Sequence, residues 1–312
     1  MKTSFIVIAY NEAHGIEATL RAIVAQQGLS SFEVVVVNDG STDDTLAITR
    51  RLSREFPVIR IVDQPNQGRG AARAAGVKAA RGTYLAFIDA DIVLPKNWLK
   101  RCMAKMQQYD ACGGIAVPDG DATYVYRVCK LKPKVAPQST TITGNNGLFK
   151  RSVFTKVSYN PTKKNGEDVA LGYAMTAAGL RATTIPALVV DHREAKSYQK
   201  SLAWLFESGI GASRQLYEQK QIRVPDIAWV GFVGLAVLAV AALLGTGLPW
   251  LLPATALLGY VTLSAFMHLK SKFHLGLNWR SLFALAINDT LLLAYYVGRT
   301  VGAITERRYR RG

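Results

Sequence analysis

Asp89-Ala90-Asp91 sets two carboxylates one residue apart, at the end of the apolar run Thr83-Tyr84-Leu85-Ala86-Phe87-Ile88 and ahead of Ile92-Val93-Leu94-Pro95. In an extended strand, side chains i and i+2 share a face, so Asp89 and Asp91 point together. Adjacent carboxylates repel unless a cation bridges them. Mg2+ or Mn2+ takes hard oxygen ligands and keeps positions for water and phosphate oxygens, so this strand end suits a metal with a diphosphate. Asp-x-Asp also occurs as a solvated strand end, and the surrounding elements decide between the two.

Those elements begin at the amino terminus, where Ser4-Phe5-Ile6-Val7-Ile8-Ala9 reads as a buried strand ending in Tyr10-Asn11-Glu12, with a helix expected from Gly15 to Gln26. The next apolar run, Phe32-Glu33-Val34-Val35-Val36-Val37, ends in Asn38-Asp39-Gly40-Ser41-Thr42-Asp43-Asp44-Thr45, turn chemistry that leads into a helix start. Strand, helix, strand, helix predicts an α/β fold with a parallel sheet covered on both faces, which binds ligands beyond the carboxyl ends of its strands. Asn11, Asp39 and Asp91 all sit at such ends. Asp39 also fits an Asx turn capping the following helix, and the two roles are compatible.

Residues 1 to about 215 resemble the family 2 glycosyltransferases of the GT-A fold. The matching pieces, in order, are Ile8-Ala9-Tyr10-Asn11-Glu12, Val36-Val37-Asn38-Asp39-Gly40-Ser41-Thr42-Asp43, Asn66-Gln67-Gly68-Arg69-Gly70-Ala71-Ala72-Arg73, Ile88-Asp89-Ala90-Asp91 and Gly166-Glu167-Asp168. The resemblance implies a Rossmann-like, mostly parallel sheet domain and a nucleotide-diphosphate sugar donor seated by Ala9, Asn11, Glu12, Asp39, Arg73, Asp89, Ala90 and Asp91. In that scheme Asp39 accepts a hydrogen bond from the base, and Asp91 holds Mg2+ or Mn2+. Asp89 meets the ribose, or the metal through water, and Arg73 lies near the nucleotide, a helix-surface charge being its other reading. His192, at the end of the run Val189-Val190-Asp191-His192, completes the metal or diphosphate site or is structural. Arg214 is a surface charge or a diphosphate contact. UDP is the favoured carrier, with GDP open.

The same resemblance makes Asp168 the general base, just before a helix expected over Val169 to Ala178, with helix capping as its alternative. A sugar hydroxyl is a poor nucleophile at neutral pH, so a positioned carboxylate takes its proton as C1 is attacked from the face opposite the diphosphate, inverting the anomeric carbon. Thr141-Ile142-Thr143-Gly144-Asn145-Asn146-Gly147-Leu148-Phe149-Lys150-Arg151 resembles the acceptor-side segment, with Asn145, Asn146 and Glu167 facing the acceptor. No Gln-x-x-Arg-Trp occurs around Gln199 and Trp204, which disfavours a processive polymerase and favours transfer of one sugar. The acceptor is expected to be a hydroxyl of a membrane-associated lipid or glycan. A polyprenyl phosphate, already anionic and needing no base, is the alternative. A catalytically silent scaffold is disfavoured by the intact Asp39, Asp91 and Asp168.

Hydrophobic residues make up 49% of the 312-residue chain, and the apolar part is concentrated towards its end. Ile227 to Leu244 and Trp250 to Met267, joined by Gly245-Thr246-Gly247-Leu248-Pro249, each approach the ~20 apolar residues of a spanning helix and predict a transmembrane hairpin. Lys220 and Arg223 precede the pair, and Lys270, Lys272 and Arg280 follow it, so both ends are expected on the cytoplasmic side, with the catalytic domain. Leu282 to Ile304 carries Asn288, Asp289 and Arg299 and precedes four arginines; an in-plane amphipathic helix is preferred there over a third span. The expected domains are 1–215 catalytic, 216–225 amphipathic linker and 226–312 membrane, in a multi-pass protein of the cell membrane.

The formal net charge of +16 comes from 38 basic and 22 acidic residues. The basic residues flank apolar segments, where anionic lipid attracts them, and stacking aromatics are not interleaved with them, so no nucleic-acid partner is expected. Cys102, Cys112 and Cys129 lack metal-ligand spacing and imply reduced thiols. Met1-Lys2-Thr3 runs directly into the first strand, with no apolar leader expected. Asp119 to Ala136 reads as a basic and aromatic segment over the cleft.

Overall fold

The computed structural model describes residues 2–27, 31–117, 125, 128–129, 131, 144–163, 165–193, 197–219, 222, 224–245 and 278–309. The expected strap at 119–136, the acceptor-side residues 141–143, the hairpin turn and second span at 245–267 and the flanking Lys270 and Lys272 lie largely or wholly outside these residues. The chain divides into two compact units, one of residues 1–120 and 135–195, the other of 121–134 and 196–312. The division falls earlier than residue 215 because the helix after 196 packs with the carboxyl-terminal helix of the second unit.

The first unit is an eight-stranded sheet in the order β3-β2-β1-β4-β7-β6-β8-β5. Its strands are β1 (Thr3–Ala9), β2 (Phe32–Asp39), β3 (Ile59–Gln64), β4 (Tyr84–Asp89), β5 (Ile92–Val93), β6 (Ala111–Val117), β7 (Asn146–Lys150) and β8 (Ala182–His192). β1 lies between β2 and β4, and these strands and β3 are parallel. Val34 to Val37 are all fully buried, as a strand covered on both faces requires. Alternation sorts them. Val34 and Val36, with Phe5 and Val7 of β1, face a cluster containing Ile16, Leu20 and Ile23 of α1 (Ile16–Val24), Leu52 of α2 (Thr45–Glu55) and Trp98 of α4 (Trp98–Met103). Val35 and Val37 face Ala72, Ala75 and Ala79 of α3 (Arg69–Ala79) on the other side.

The sheet is mostly parallel as expected, β6 also running parallel to β8, but β7 runs antiparallel to both β4 and β6, and β5 antiparallel to β8. Apolar content and period are the same for a strand run in either direction, so they carry no sign of this reversal. The helix expected from Val169 begins two residues earlier, as α5 (Glu167–Ala177), because Gly166 adopts φ 71° and turns the chain into it. Asp168 therefore lies within the first helical turn.

The second unit contains α6 (Tyr198–Gln219), α7 (Val224–Gly245) and α8 (Trp279–Tyr309). α6 lies along α8 around Leu205, Ala284 and Leu291, which share a cluster with Val125, Cys129 and Leu131. Tyr198 Oη donates to Thr290 Oγ1 at 2.6 Å and Ser213 Oγ to the Arg299 carbonyl at 2.6 Å. The backbones nearly touch: a Cβ on Gly298 would fall 2.0 Å from the Phe206 carbonyl oxygen, and one on Gly209 2.1 Å from that of Tyr295. Gly298→Leu is accordingly expected to destabilise this pair by about 1–3 kcal/mol through overpacking, read as a lower melting temperature in detergent.

Among the described residues one helix is long and apolar enough to cross a membrane, the 27-residue stretch Trp279–Thr305, whose most apolar 18-residue window has a mean hydropathy of 1.4. It contains the segment for which an in-plane position was preferred. Phe283, Leu293, Val297 and Ile304 on it are exposed, as are Val230, Val237 and Val240 of α7. The first limb of the expected hairpin is helical, within α7.

Candidate donor and catalytic site

The carboxyl ends of β2, β1 and β4 are neighbours, with Ala9 opposite Asn38 and Ile8 opposite Asp89. Asn11 has a left-handed backbone, φ 58°, which asparagine tolerates better than most residues. Its Oδ1 accepts the Thr42 N–H at 2.8 Å, and its own N–H donates to Ser41 Oγ at 3.0 Å. The Glu12 N–H donates to Thr45 Oγ1 at 2.8 Å and the Ala13 N–H to Asp43 Oδ2 at 3.1 Å, so the loops after β1 and β2 are stitched together. Ala9 and Ala90 are buried in the α1 side of the core, and the Ala90 carbonyl accepts from Thr19 Oγ1 at 2.7 Å. Asp39 accepts from Gln64 Nε2 at 2.7 Å, the Gln67 N–H at 3.0 Å and the Gly68 N–H at 2.8 Å. It shapes the loop from β3 to α3, a task for which Gln64 and Gln67 were not anticipated.

Asp89 and Asp91 have different partners. Asp89 Oδ1 accepts from Arg73 Nη2 at 3.1 Å, whereas Asp91 Oδ2 lies 3.0 Å from His192 Nε2. The second contact follows from the antiparallel pairing of β5 with β8, which sets Ile92 opposite His192. Among the described residues no three His, Cys, Asp or Glu side chains converge as a metal site. The Asp91–His192 pair still offers a hard anionic oxygen and an imidazole nitrogen at a strand end. Two such donors suit a divalent cation that takes its remaining ligands from phosphate and water, so these residues fit Mg2+ or Mn2+.

Arg73 is almost wholly buried on α3 rather than a surface charge. Its Nη1 donates to the Gly144 carbonyl at 2.8 Å, its Nε lies 3.1 Å from Glu167 Oε1, and its guanidinium sits 5.6 Å from the centre of the Tyr159 ring. Burial alone would lower the pKa of this guanidinium, but the facing carboxylates of Asp89 and Glu167 outweigh it and raise the value. Burial pushes the Glu167 carboxyl up, against the pull of Arg73.

Asp168, partly exposed beside Glu167, accepts the Gly144 N–H on Oδ2 at 3.2 Å. The residues expected to face an acceptor are otherwise placed. Asn146 is fully buried, accepting from the Gly114 N–H at 2.6 Å and Trp98 Nε1 at 3.3 Å and donating to Asn145 Oδ1 at 3.0 Å. The Asn145 carbonyl accepts the Asp89 N–H at 3.0 Å. Both asparagines join β7 to its neighbours, and Glu167 is the counter-ion of Arg73. Arg214 lies on α6 in the second unit.

The sequence profile of glycosyl transferase family 2 matches residues 4–159, half of the chain. A protein of Nostoc sp. named as an uncharacterized glycosyltransferase is 33% identical over 172 residues, 50% of this chain and 53% of its own length. A dolichyl-phosphate beta-glucosyltransferase of Trichomonas vaginalis is 39% identical over 97 residues, 28% of this chain and 29% of its own. The chain thus spans about half or less of these curated relatives. Among solved structures, a mannosyltransferase of Pyrobaculum calidifontis in complex with GDP-Man and Mn2+ superposes with a TM-score of 0.59 at 21% identity, over 97% of this chain and 86% of that one, a likeness of fold.

Proposed function

We propose, from the premise that this chain belongs to glycosyl transferase family 2, that it is an inverting, metal-dependent enzyme moving one sugar from a nucleotide-diphosphate sugar to a hydroxyl of a membrane-associated lipid or glycan. One observation carries this reading: the base candidate Asp168 and the donor-side Asp89 both meet the Arg73–Gly144 contact, with Asp91 two residues further on beside His192. The strand-end loops built on Asn11 and Asp39 would seat the nucleotide, UDP being favoured. Asp168 would accept the acceptor proton as its oxygen bonds to C1 and the C1–phosphate bond breaks. Held by Asp91 and His192, Mn2+ or Mg2+ would neutralise charge on the departing diphosphate. A fold shared with an enzyme solved with GDP-Man and Mn2+ supports both the donor class and the metal. The exposed apolar faces of α7 and α8 support attachment to the cell membrane, and the basic residues flanking the apolar segments support a cytoplasmic first unit.

A second reading, transfer to a polyprenyl phosphate, is supported by the partial likeness to a dolichyl-phosphate beta-glucosyltransferase. Incubating the protein with radiolabelled UDP- and GDP-sugars and a membrane lipid extract separates the two. Label in lipid that survives mild acid supports the hydroxyl acceptor, label released by mild acid supports the phosphate, and no transfer from any donor refutes both. Asp91→Ala is expected to weaken UDP binding in the presence of Mn2+ by at least roughly 10- to 100-fold, the scale of losing even an outer partner of a metal ligand. Calorimetric titration that found the affinity unchanged would remove Asp91 from the metal site.

A further inference from the structure

We infer that Arg73 is a positioning residue which, through Gly144, ties the placement of the base Asp168 to that of the donor-side carboxylate Asp89, and that Glu167 acts as its counter-ion rather than as an acceptor contact. This rests on the reading of Asp168 as the base. One planar guanidinium reaches three elements: α3, which carries it; the end of β4, through Asp89 at 3.1 Å; and the start of α5, through Glu167 at 3.1 Å. It also donates to the Gly144 carbonyl at 2.8 Å, fixing the residue whose N–H is given to Asp168. Gly144 thus faces both ways, accepting from Arg73 and donating to Asp168.

The absence of a side chain at Gly144 is required by this contact. A Cβ there would lie 1.9 Å from Arg73 Nη1 and 2.5 Å from Cζ. The buried guanidinium cannot swing into solvent without abandoning Glu167, itself buried, and leaving that carboxylate unpaired. Arginine suits the position because its rigid fork directs donors to several acceptors at once, whereas a lysine ammonium is a single point on a flexible stem. Asp89 and Asp168 are thereby coupled without touching.

The test compares wild type, Asp168→Asn, Gly144→Ala, Arg73→Lys and the Gly144→Ala/Arg73→Lys double variant. Each is assayed for transfer of radiolabelled sugar from UDP-GlcNAc and GDP-mannose into membrane lipid extract, and for UDP affinity with Mn2+ by calorimetry. Displacing the base by about 1 Å is expected to cost kcat up to ~100-fold in either single variant, a much larger loss than the accompanying one in UDP affinity, which Asp89 transmits. Because both substitutions break one contact, the double variant should lose little more than the worse single one. Fully multiplicative losses would overturn the inference, as would loss of UDP binding in step with transfer, which would make Arg73 general scaffolding. Wild-type transfer by Gly144→Ala alongside an inactive Asp168→Asn would sink the positioning role alone. Unimpaired transfer by Asp168→Asn would instead remove the base assignment on which the inference rests.

Discussion

Asp168→Asn is expected to lower sugar transfer to a hydroxyl acceptor by roughly 10²- to 10⁴-fold, the contribution of a positioned general base, while leaving nucleotide binding intact. The substitution is nearly isosteric. An asparagine carbonyl oxygen can still accept the Gly144 N–H, which Asp168 Oδ2 accepts at 3.2 Å, so the start of α5 keeps its tie to the preceding loop. What it loses is the capacity to take a proton from the attacking oxygen. Neighbouring Glu167 cannot substitute, because it is buried and committed to Arg73, its Oε1 lying 3.1 Å from the guanidinium Nε. The effect should therefore fall on kcat at saturating donor, with calorimetric UDP affinity unchanged. Transfer that persists in Asp168→Asn, in a product cleaved by mild acid, would show that the nucleophile is a phosphate and needs no base.

A second large effect is expected in the other unit, where Arg299 of α8 forms a buried ion pair with Asp226 of α7. The guanidinium also lies 5.3 Å from the centre of the Trp229 ring and 5.8 Å from that of Tyr295. Asp226→Ala would leave that cation buried without its carboxylate, a change that typically costs about 3–5 kcal/mol, whereas replacing both charges by apolar groups of similar volume is often close to neutral. Thermal unfolding in detergent should show a large drop in melting temperature for Asp226→Ala and substantial recovery in Asp226→Leu/Arg299→Met. Equal stability of Asp226→Ala and wild type would mean that the pair contributes nothing to holding α7 on α8.

Legibility differed between elements for physical reasons. The valine run of β2 announces a strand buried on both faces, and the turn chemistry after it announces where the chain leaves the sheet. Strand direction is another matter: Asn146-Gly147-Leu148-Phe149 has the same apolar character read either way, and only pairing with β4 and β6 reveals that it runs against them. The arginines that follow Ile304, and Asn288 and Arg299 near one helical face, suggested a helix lying in the membrane plane. The fold offers another solution, pairing Arg299 with a carboxylate from a helix about seventy residues earlier, which no local pattern displays.

The candidate site shows the same split. Residue type and spacing by themselves determined that carboxylates and polar turns gather at the carboxyl ends of β1, β2 and β4, because parallel strands joined by helices bring those ends to one edge. Spacing also marked Asp89 and Asp91, whereas His192 and Asp168 were marked by the resemblance to family 2 glycosyltransferases. Only the tertiary structure decided how the charges are shared: Asp89 to Arg73, Asp91 to His192, Glu167 to Arg73, and Asn146 to the interior. Such partnerships join side chains 16 to 101 positions apart. They depend on burial and on close approaches such as that of Gly144 to Arg73, which are properties of packed surfaces and leave no periodic trace along the chain.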